Sequence, residues 1–147
     1  MTTVKSVLTQ KDSTLISVRS DDQVVKALLQ MRDNRVRSVL VIDDGVLVGI
    51  VTQGDCAIKV LLPGLDAKQT MISQVMTRNP ITVKLADRVD ACMGLMAGKG
   101  FRHLPVIDGG KVVGVISIGD VVKDIIRDLQ LNVGDLMGYI MTDGPGG

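Results

Sequence analysis

Apolar and polar positions follow the same order twice along this chain. A short apolar run precedes a segment with helical spacing, then come two apolar runs joined by a tight turn, and then a second helical segment. Each copy therefore predicts the order β-α-β-β-α. Residues 16–55 align with residues 81–120 at a constant shift of 65 positions, and 14 of the 40 aligned pairs are identical. A tandem repeat of this size predicts two similar halves packed together, with related clefts between them.

The repeat also predicts where the elements lie. Asp44-Gly45 and Gly109-Gly110 favour tight hairpins between paired strands. We expect Ser20 and Asp87 to open the first helix of each copy. The predicted strands are 15–18, 39–42, 47–51, 81–83, 104–107 and 112–116, and the predicted buried helix faces are Val24, Leu28 and Met31 in one copy and Val89, Met93 and Met96 in the other.

These elements predict a mixed α/β fold of the α+β type, in which two β-α-β-β-α repeats pack with pseudo-two-fold symmetry into one module. We assign residues 1–64 to repeat one, residues 65–131 to repeat two, and residues 132–147 to a C-terminal tail with a short apolar helix and a flexible Gly/Pro end. One helical turn is expected before each copy. The apolar stripe of the tail fits a core cover and a dimer contact equally well: Val133, Leu136, Met137, Ile140 and Met141.

Composition narrows the functional classes. The chain has 147 residues, 17 basic and 16 acidic side chains and a net charge of +1, which argues against nucleic acid and anionic membranes as partners. No apolar run is long enough to span a bilayer, and the N-terminus lacks a signal-peptide pattern, so we expect a cytoplasmic protein. With only one Phe and one Tyr, a bound purine would be contacted by aliphatic side chains and backbone. Cys56 and Cys92 lack zinc-site spacing and are expected to be small apolar residues.

The sharpest motif is Gly, two apolar residues, Ser or Thr, two further residues and Asp. It occurs as residues 49–55 and as residues 114–120. A hydroxyl followed three residues later by an acid is a helix-capping pattern, which is a purely structural interpretation. The motif also lies where a strand ends and a helix begins, with backbone N–H groups expected to face a cleft. A carboxylate there can accept both hydroxyls of a ribose, and the hydroxyl side chain can reach sugar or phosphate.

The repeat resembles the CBS domain, and the pair resembles a Bateman module, from Val4 to about Leu131. The motifs that carry the resemblance are Arg102-His103-Leu104-Pro105-Val106 and Ser117-Ile118-Gly119-Asp120-Val121-Val122-Lys123, which match small stand-alone CBS-pair proteins. This resemblance implies binding of AMP, ADP, ATP, NAD or S-adenosylmethionine in clefts between the repeats.

The resemblance also implies roles for individual residues. Asp55 and Asp120 would hold ribose hydroxyls, and Thr52 and Ser117 would contact sugar or phosphate. The other implied ligand contacts are backbone near the adenine from the segments containing Thr14, Ile16, Thr77, Pro80 and Ile81, and phosphate contacts from Arg37, Arg102, His103 and Lys123.

One departure from the family pattern affects the first copy. Related proteins often read T-E-R-D there, whereas this chain has Gln53-Gly54 between Thr52 and Asp55, with Lys59 one turn later. The site of the first motif is therefore expected to hold polyphosphates less firmly or to be vacant. Repeat two, with Arg102, His103 and Lys123, is the favoured site.

The sequence predicts a non-enzymatic sensor of adenine nucleotides that forms a homodimer and acts on a partner protein. The alternative is a structural module that docks a partner without ligand. His103 is the only histidine, so a catalytic triad has little support, and a phosphate contact and a satisfied surface group both remain open for it. No metal site is predicted. The repeats also resemble the regulatory insert of IMP dehydrogenase, but a catalytic barrel needs a couple of hundred residues beyond them.

Overall fold

The computed structural model describes residues 2–11 and 15–142, with side chains up to Gln130. The helices are α1 (Val4–Thr9), α2 (Val24–Asn34), α3 (Gln53–Cys56), α4 (Val89–Lys99) and α5 (Ile118–Thr142). A π-helical turn at Ala57–Leu61 continues α3, and a 3-10 turn spans Ile72–Gln74. The strands are β1 (Ser17–Val18), β2 (Ser38–Asp43), β3 (Val46–Thr52), β4 (Thr77–Arg78), β5 (Val83–Lys84), β6 (His103–Asp108) and β7 (Lys111–Ser117).

Two sheets repeat the same topology and confirm the predicted mixed α+β fold. In one sheet the order is β1-β2-β3-β4, and in the other it is β5-β6-β7. The first strand of each repeat pairs in parallel with the next strand, which then forms an antiparallel hairpin with the third. Both hairpins close through backbone with positive φ, at Asp44-Gly45 and at Gly109-Gly110. Both also carry a register shift at matching positions, after Val41 and after Val106.

Each repeat completes the core of the other one. The Val4 N–H of α1 donates to Asp87 O at 2.8 Å, so α1 packs on the second sheet. In return, the Ile72 N–H donates to Asp22 O at 2.8 Å, which places the 3-10 turn on the first sheet. One buried cluster accordingly combines Val4, Val7 and Leu8 with residues of repeat two, and the other combines Ile72, Val75 and Met76 with residues of repeat one. The two halves are therefore interlocked, which places their motif turns on either side of a shared seam.

The two lead-in segments end differently. After the 3-10 turn, β4 pairs with β3, and a Cβ atom on Gly49 would lie 2.8 Å from Thr77 O. Glycine is required there because backbone approaches backbone. The equivalent Gly114 faces only the Leu8 side chain of α1, at 3.0 Å. No strand follows α1 in the described residues up to position 11. The Leu8 side chain therefore lies against Gly114, whereas strand β4 lies against the equivalent Gly49.

Some local predictions were wrong. The N-cap residues of α2 and α4 are Gln23 and Arg88, neither of which caps with its side chain. Ser20 instead donates to Asp43, and Asp87 accepts from the Lys84 N–H at 2.8 Å, closing the turn before the helix.

Two further differences concern the helices of repeat two. Met93 is 45% exposed, and Cys92 takes the buried position beside Val89 and Met96, because the i, i+3, i+7 spacing faces the core, as it does for Val24, Ala27 and Met31 in α2. In addition, α5 passes Leu131 without a break and ends at Thr142, so the short helix predicted for the tail is part of α5. The side chains of the tail stripe lie outside the described part of the chain.

Candidate functional site

Two clefts lie along the seam between the repeats. The Asp120 cleft, a cavity of about 540 Å³, is formed by the turn 117–120 and by residues 15–16 and 35–38 of the opposite repeat. The Asp55 cleft, a cavity of about 460 Å³, is formed by the turn 52–55 and by residues 80–81 and 100–103 of the opposite repeat. Both volumes fall in the range of roughly 300–1,000 Å³ that is typical of small-molecule sites. Each cleft therefore combines the motif of one repeat with the neighbouring segments of the other.

The motif turns have the same internal hydrogen bonds. In repeat one, the Asp55 N–H donates to Thr52 Oγ1 at 3.1 Å, and the Thr52 N–H donates to Asp55 Oδ2 at 3.0 Å. In repeat two, Asp120 and Ser117 exchange the equivalent bonds at 3.2 and 2.8 Å. The structural interpretation of the motif, a capping box, is thus confirmed in both copies. The capping box also fixes each carboxylate in orientation at the edge of its cleft.

The first-turn amides of these helices are partly used by the protein itself. The Gln53 N–H donates to Arg37 O at 3.1 Å, and the Ile118 N–H donates to Arg102 O at 2.9 Å. The expectation that backbone N–H groups face the cleft is therefore wrong for Gln53 and Ile118. The bonds have a second consequence, because they hold the two arginine segments against the starts of α3 and α5. Arg37, Arg102 and His103 line both clefts and form the wall between them.

Asp120 is held by Lys11, which lies two residues beyond the end of the lead-in helix α1. Lys11 Nζ lies 2.8 Å from Asp120 Oδ2 and also donates to Val115 O at 3.0 Å. The Asp120 side chain is only 14% exposed. The hydrogen bonds that Asp120 accepts from described residues all end on Oδ2. Asp120 lines the cleft, and none of the described residues donates a hydrogen bond to its Oδ1 atom.

Asp55 uses both of its carboxylate oxygens within its own repeat. Oδ2 accepts the Thr52 N–H, and Oδ1 lies 3.2 Å from Lys59 Nζ. Lys59 also donates to Val75 O at 2.9 Å, so its ammonium group already has two partners within the protein, Asp55 and the Val75 carbonyl. A ribose in this cleft would compete with that lysine for the carboxylate.

The electrostatics of the Asp120 cleft favour an ionised carboxylate and a neutral imidazole. Burial acts to raise the pKa of Asp120, but the hydrogen bonds from Lys11 and from the Ser117 amide outweigh it, so the pKa is lowered. Burial lowers the pKa of His103, and the nearby Lys11, Arg102 and Arg37 lower it further against the opposing effect of Asp120. The cleft thus presents one carboxylate acceptor among several cations.

The structure brings the predicted site residues into these two clefts. Thr14 lies outside the described residues. The predicted residues that line the Asp120 cleft are Ile16, Arg37, Arg102, His103, Ser117, Asp120 and Lys123, and those that line the Asp55 cleft are Arg37, Thr52, Asp55, Thr77, Pro80, Ile81, Arg102 and His103.

The lining residues that sequence reasoning missed include two cations and an aromatic ring. Lys11 and Arg35 line the Asp120 cleft, and Phe101 lines the Asp55 cleft. Phe101 places an aromatic ring in the lining of a cleft where aliphatic side chains and backbone were expected to contact a purine. Arg35 could have been found, because it aligns with Gly100 at the shift of 65 and both residues end a helix. Lys11 precedes the aligned region and had no such signal.

The two clefts differ in charge. The cations of the Asp120 cleft are Lys11, Arg35, Arg37, Arg102 and Lys123, and Asp120 is the acidic residue of its lining. The Asp55 cleft has the cations Arg37 and Arg102 and the acid Asp55. The described side chains contain no group of three or more His, Cys, Asp or Glu that could hold a metal ion.

Comparison with known proteins agrees with this architecture. The CBS domain model matches the chain twice, over residues 4–61 and residues 72–127. The chain belongs to the CBS domain family. CBS-domain pairs are regulatory modules.

The CBS relatives include a plant protein and two solved structures. The Arabidopsis thaliana protein "CBS domain-containing protein CBSX3, mitochondrial" is 31% identical over 95% of this chain and 72% of its own length. A CBS-domain protein from Burkholderia ambifaria is 40% identical, with a TM-score of 0.83 over 86% of this chain and 96% of that chain. The CBS pair of protein MJ0100, solved with 5′-methylthioadenosine and S-adenosyl-L-methionine, is 26% identical, with a TM-score of 0.77 over 87% of this chain and 98% of that chain.

The coverage of longer relatives is much lower. The chain spans only about a fifth of the Arabidopsis CBSCBSPB proteins, 22% in the case of CBSCBSPB2. Among the helices of the described residues, none combines the length and apolar character needed to cross a membrane.

Proposed function

We propose that this CBS pair is a non-enzymatic regulatory module that binds an adenosine-containing nucleotide, AMP, ADP, ATP or NAD, in the clefts between its repeats. The observation that carries the proposal is the placement of Asp120. Its carboxylate is fixed by the capping box with Ser117, lines a cavity of about 540 Å³, and lies among cations that suit phosphate. A carboxylate can accept ribose hydroxyls, while Arg102 and Lys123 can bind phosphate. The adenosine compounds bound to the MJ0100 pair support the ligand class.

Ligand-induced stabilisation tests this proposal. A ligand that binds only the folded state at 100 times its dissociation constant stabilises it by about 2.7 kcal/mol. We expect millimolar AMP, ADP, ATP or NAD to raise the melting temperature of the chain. Asp120→Ala is expected to lose most of that rise, measured against its own ligand-free melting temperature.

Asp87→Ala is the matched control for this experiment. Asp87 also accepts a backbone N–H from three residues earlier, at 2.8 Å from Lys84, but it lines neither cleft. The control is expected to keep the full ligand-induced rise. The proposal is wrong if none of the four compounds raises the melting temperature, or if Asp120→Ala responds as the unaltered chain does.

We also propose that the module forms a homodimer and signals to a partner protein. An exposed apolar row on α5 supports a protein contact, since Val122, Ile126 and Leu129 are 46%, 48% and 58% exposed. A ligand can change the partner's response only if two states of the module bind it with different affinities, with couplings typically of about 1–3 kcal/mol. Analytical ultracentrifugation is expected to give twice the chain mass of 15.7 kDa, and a monomer at all concentrations would refute the dimer.

A second candidate applies to the Asp55 cleft alone. Gln53-Gly54 replaces the arginine-bearing pattern there, and both oxygens of Asp55 already have partners within the repeat. These observations favour a structural cleft that docks a partner without ligand. Mass spectrometry of small molecules released from freshly purified Asp120→Ala protein tests this candidate, because any retained adenosine compound would then occupy the Asp55 cleft.

A further inference from the structure

Two equivalent helix ends carry chemically different residues. Arg35 ends α2 and Gly100 ends α4, both in the left-handed conformation, with φ of 54° and 74°. Glycine is the residue that this position ordinarily favours, because a Cβ atom is unfavourable there. The other non-glycine residues with positive φ in the described ranges are Asp44 and Asn79, whose types tolerate it. Arg35 is thus held in a conformation that does not suit an arginine.

The helix ends face different clefts. Arg35 lines the Asp120 cleft, whereas Gly100 lines the Asp55 cleft. A backbone outlier at the edge of a cleft suggests that the side chain has a role there. The two repeats therefore differ at this equivalent position, where the Asp120 cleft has the guanidinium group of Arg35 and the Asp55 cleft has only the hydrogen atom of Gly100.

Arg35 adds a positive charge to the lining of the Asp120 cleft, apart from the Lys11–Asp120 pair. In the Asp120 cleft, Lys11 is already paired with the carboxylate at 2.8 Å. Apart from Lys11 and from the arginines of the wall that both clefts share, the cations of this cleft are Arg35 and Lys123. A polyphosphate gains from each added cation, while an uncharged nucleoside does not. In the Asp55 cleft, Phe101 takes the place of Val36, so that position is apolar in both clefts, and the charge is lost where Gly100 takes the place of Arg35.

From these observations we infer that Arg35 is a specificity-determining residue that makes the Asp120 cleft the site for adenosine polyphosphates. The Asp55 cleft, with Gly100 in the equivalent place, takes adenosine compounds with few or no phosphates. This inference rests on the proposed function and assigns a ligand class to each cleft.

Calorimetric titration of the full chain with ATP and with adenosine tests the inference. Arg35→Gly installs the residue of the equivalent position and suits the left-handed backbone, so the fold is preserved. We expect the ATP affinity to fall roughly tenfold and the adenosine affinity to stay within about twofold. Arg32→Ala is the matched control, because it removes a cation from α2 that lines neither cleft. It is expected to change neither affinity.

The reciprocal variant transfers the charge to the other cleft. A Cβ atom on Gly100 would meet nothing within 4 Å, so a larger side chain has room. In the Asp120→Ala background, Gly100→Arg is expected to bind ATP several-fold more tightly than Gly100→Ala, which carries the same backbone strain without the charge.

The outcomes separate the inference from the function on which it rests. An Arg35→Gly chain that binds ATP like the unaltered chain, or that loses ATP and adenosine equally, overturns the inference and leaves nucleotide binding intact. An unaltered chain that binds neither compound overturns both.

Discussion

The Asp120 and Asp55 clefts share their backbone geometry and differ in their charges. Both motif turns close the same capping box. Both helix starts are held by the carbonyl of the arginine that directly precedes the first hairpin strand, Arg37 before β2 and Arg102 before β6. The cations are distributed unequally, with Lys11, Arg35 and Lys123 in the Asp120 cleft alone. The duplication has therefore preserved the hydrogen bonds that shape the turns, while side chains that face the clefts have diverged. We therefore propose that fold and ligand preference are set by different residues.

The edges of the two motifs differ as well. In repeat one, β4 closes the edge with a strand and approaches Gly49 closely. In repeat two, Leu8 and Lys11 of the α1 segment close it with side chains. A paired strand cannot move without losing backbone hydrogen bonds, whereas a side chain can adopt another rotamer. The Asp120 cleft therefore has the more adaptable edge.

The largest expected effect comes from placing a methyl group at the two motif glycines. Gly49→Ala would bring Cβ to 2.8 Å from Thr77 O, so β4 has to shift, and we expect a loss of about 2–3 kcal/mol in the free energy of unfolding. Gly114→Ala meets only the flexible end of Leu8, at 3.0 Å, and is expected to cost less than about 1 kcal/mol. Urea unfolding of the two variants measures the difference. Equal losses would show that the two edges are equally rigid.

A smaller effect is expected from removing the lysines that pair with the motif carboxylates. Lys11→Met leaves Asp120 partly buried without its partner and is expected to cost about 1 kcal/mol at neutral pH. Lys59→Met is expected to cost only a few tenths of a kcal/mol. The distance from Lys59 Nζ to Asp55 Oδ1 is longer, at 3.2 Å, and the Lys59 side chain is 43% exposed, against 34% for Lys11. Urea unfolding at pH 7 checks the order, and a larger loss for Lys59→Met would reverse the comparison.

The effect of Lys11→Met should also depend on pH. The pKa of Asp120 is lowered in the folded protein, so its contribution to stability is present above the unfolded pKa of about 4 and is lost as the pH falls through the folded pKa. The deficit of Lys11→Met is therefore expected to be constant from pH 5 to 8 and to shrink below about pH 4. A deficit that is the same at pH 3 as at pH 7 would show that packing, rather than the ion pair, causes it.

Much of the fold could be predicted because the repeat made each local signal appear twice. The hairpins at Gly45 and Gly110, the order of elements along each repeat and the two motif turns follow from patterns within a few residues of each position, whereas β4 and its pairing with β3 were not predicted. The residues at which the helices begin were harder to predict from the sequence. Ser20 had the spacing of a cap, but its hydroxyl bonds to Asp43, which is distant in sequence, and no local pattern indicates that preference.

The pairing of segments across the seam could be predicted only in part. Quasi-equivalent clefts were expected from the duplication, but nothing local shows that Lys11 reaches Asp120, 109 residues away. Likewise, the packing of α1 on repeat two depends on the tertiary arrangement and not on the spacing of Val4, Val7 and Leu8. The charge of the Asp120 cleft was therefore underestimated from sequence, although Arg102, His103 and Lys123 of the favoured site do line this cleft.

A crystal structure of the full chain grown with ATP tests the central claim most directly. The account predicts that the ribose hydroxyls lie within hydrogen-bond distance of the Asp120 carboxylate and that the phosphates lie beside Arg35. ATP bound with its ribose at Asp55 and the Asp120 cleft unoccupied would contradict it.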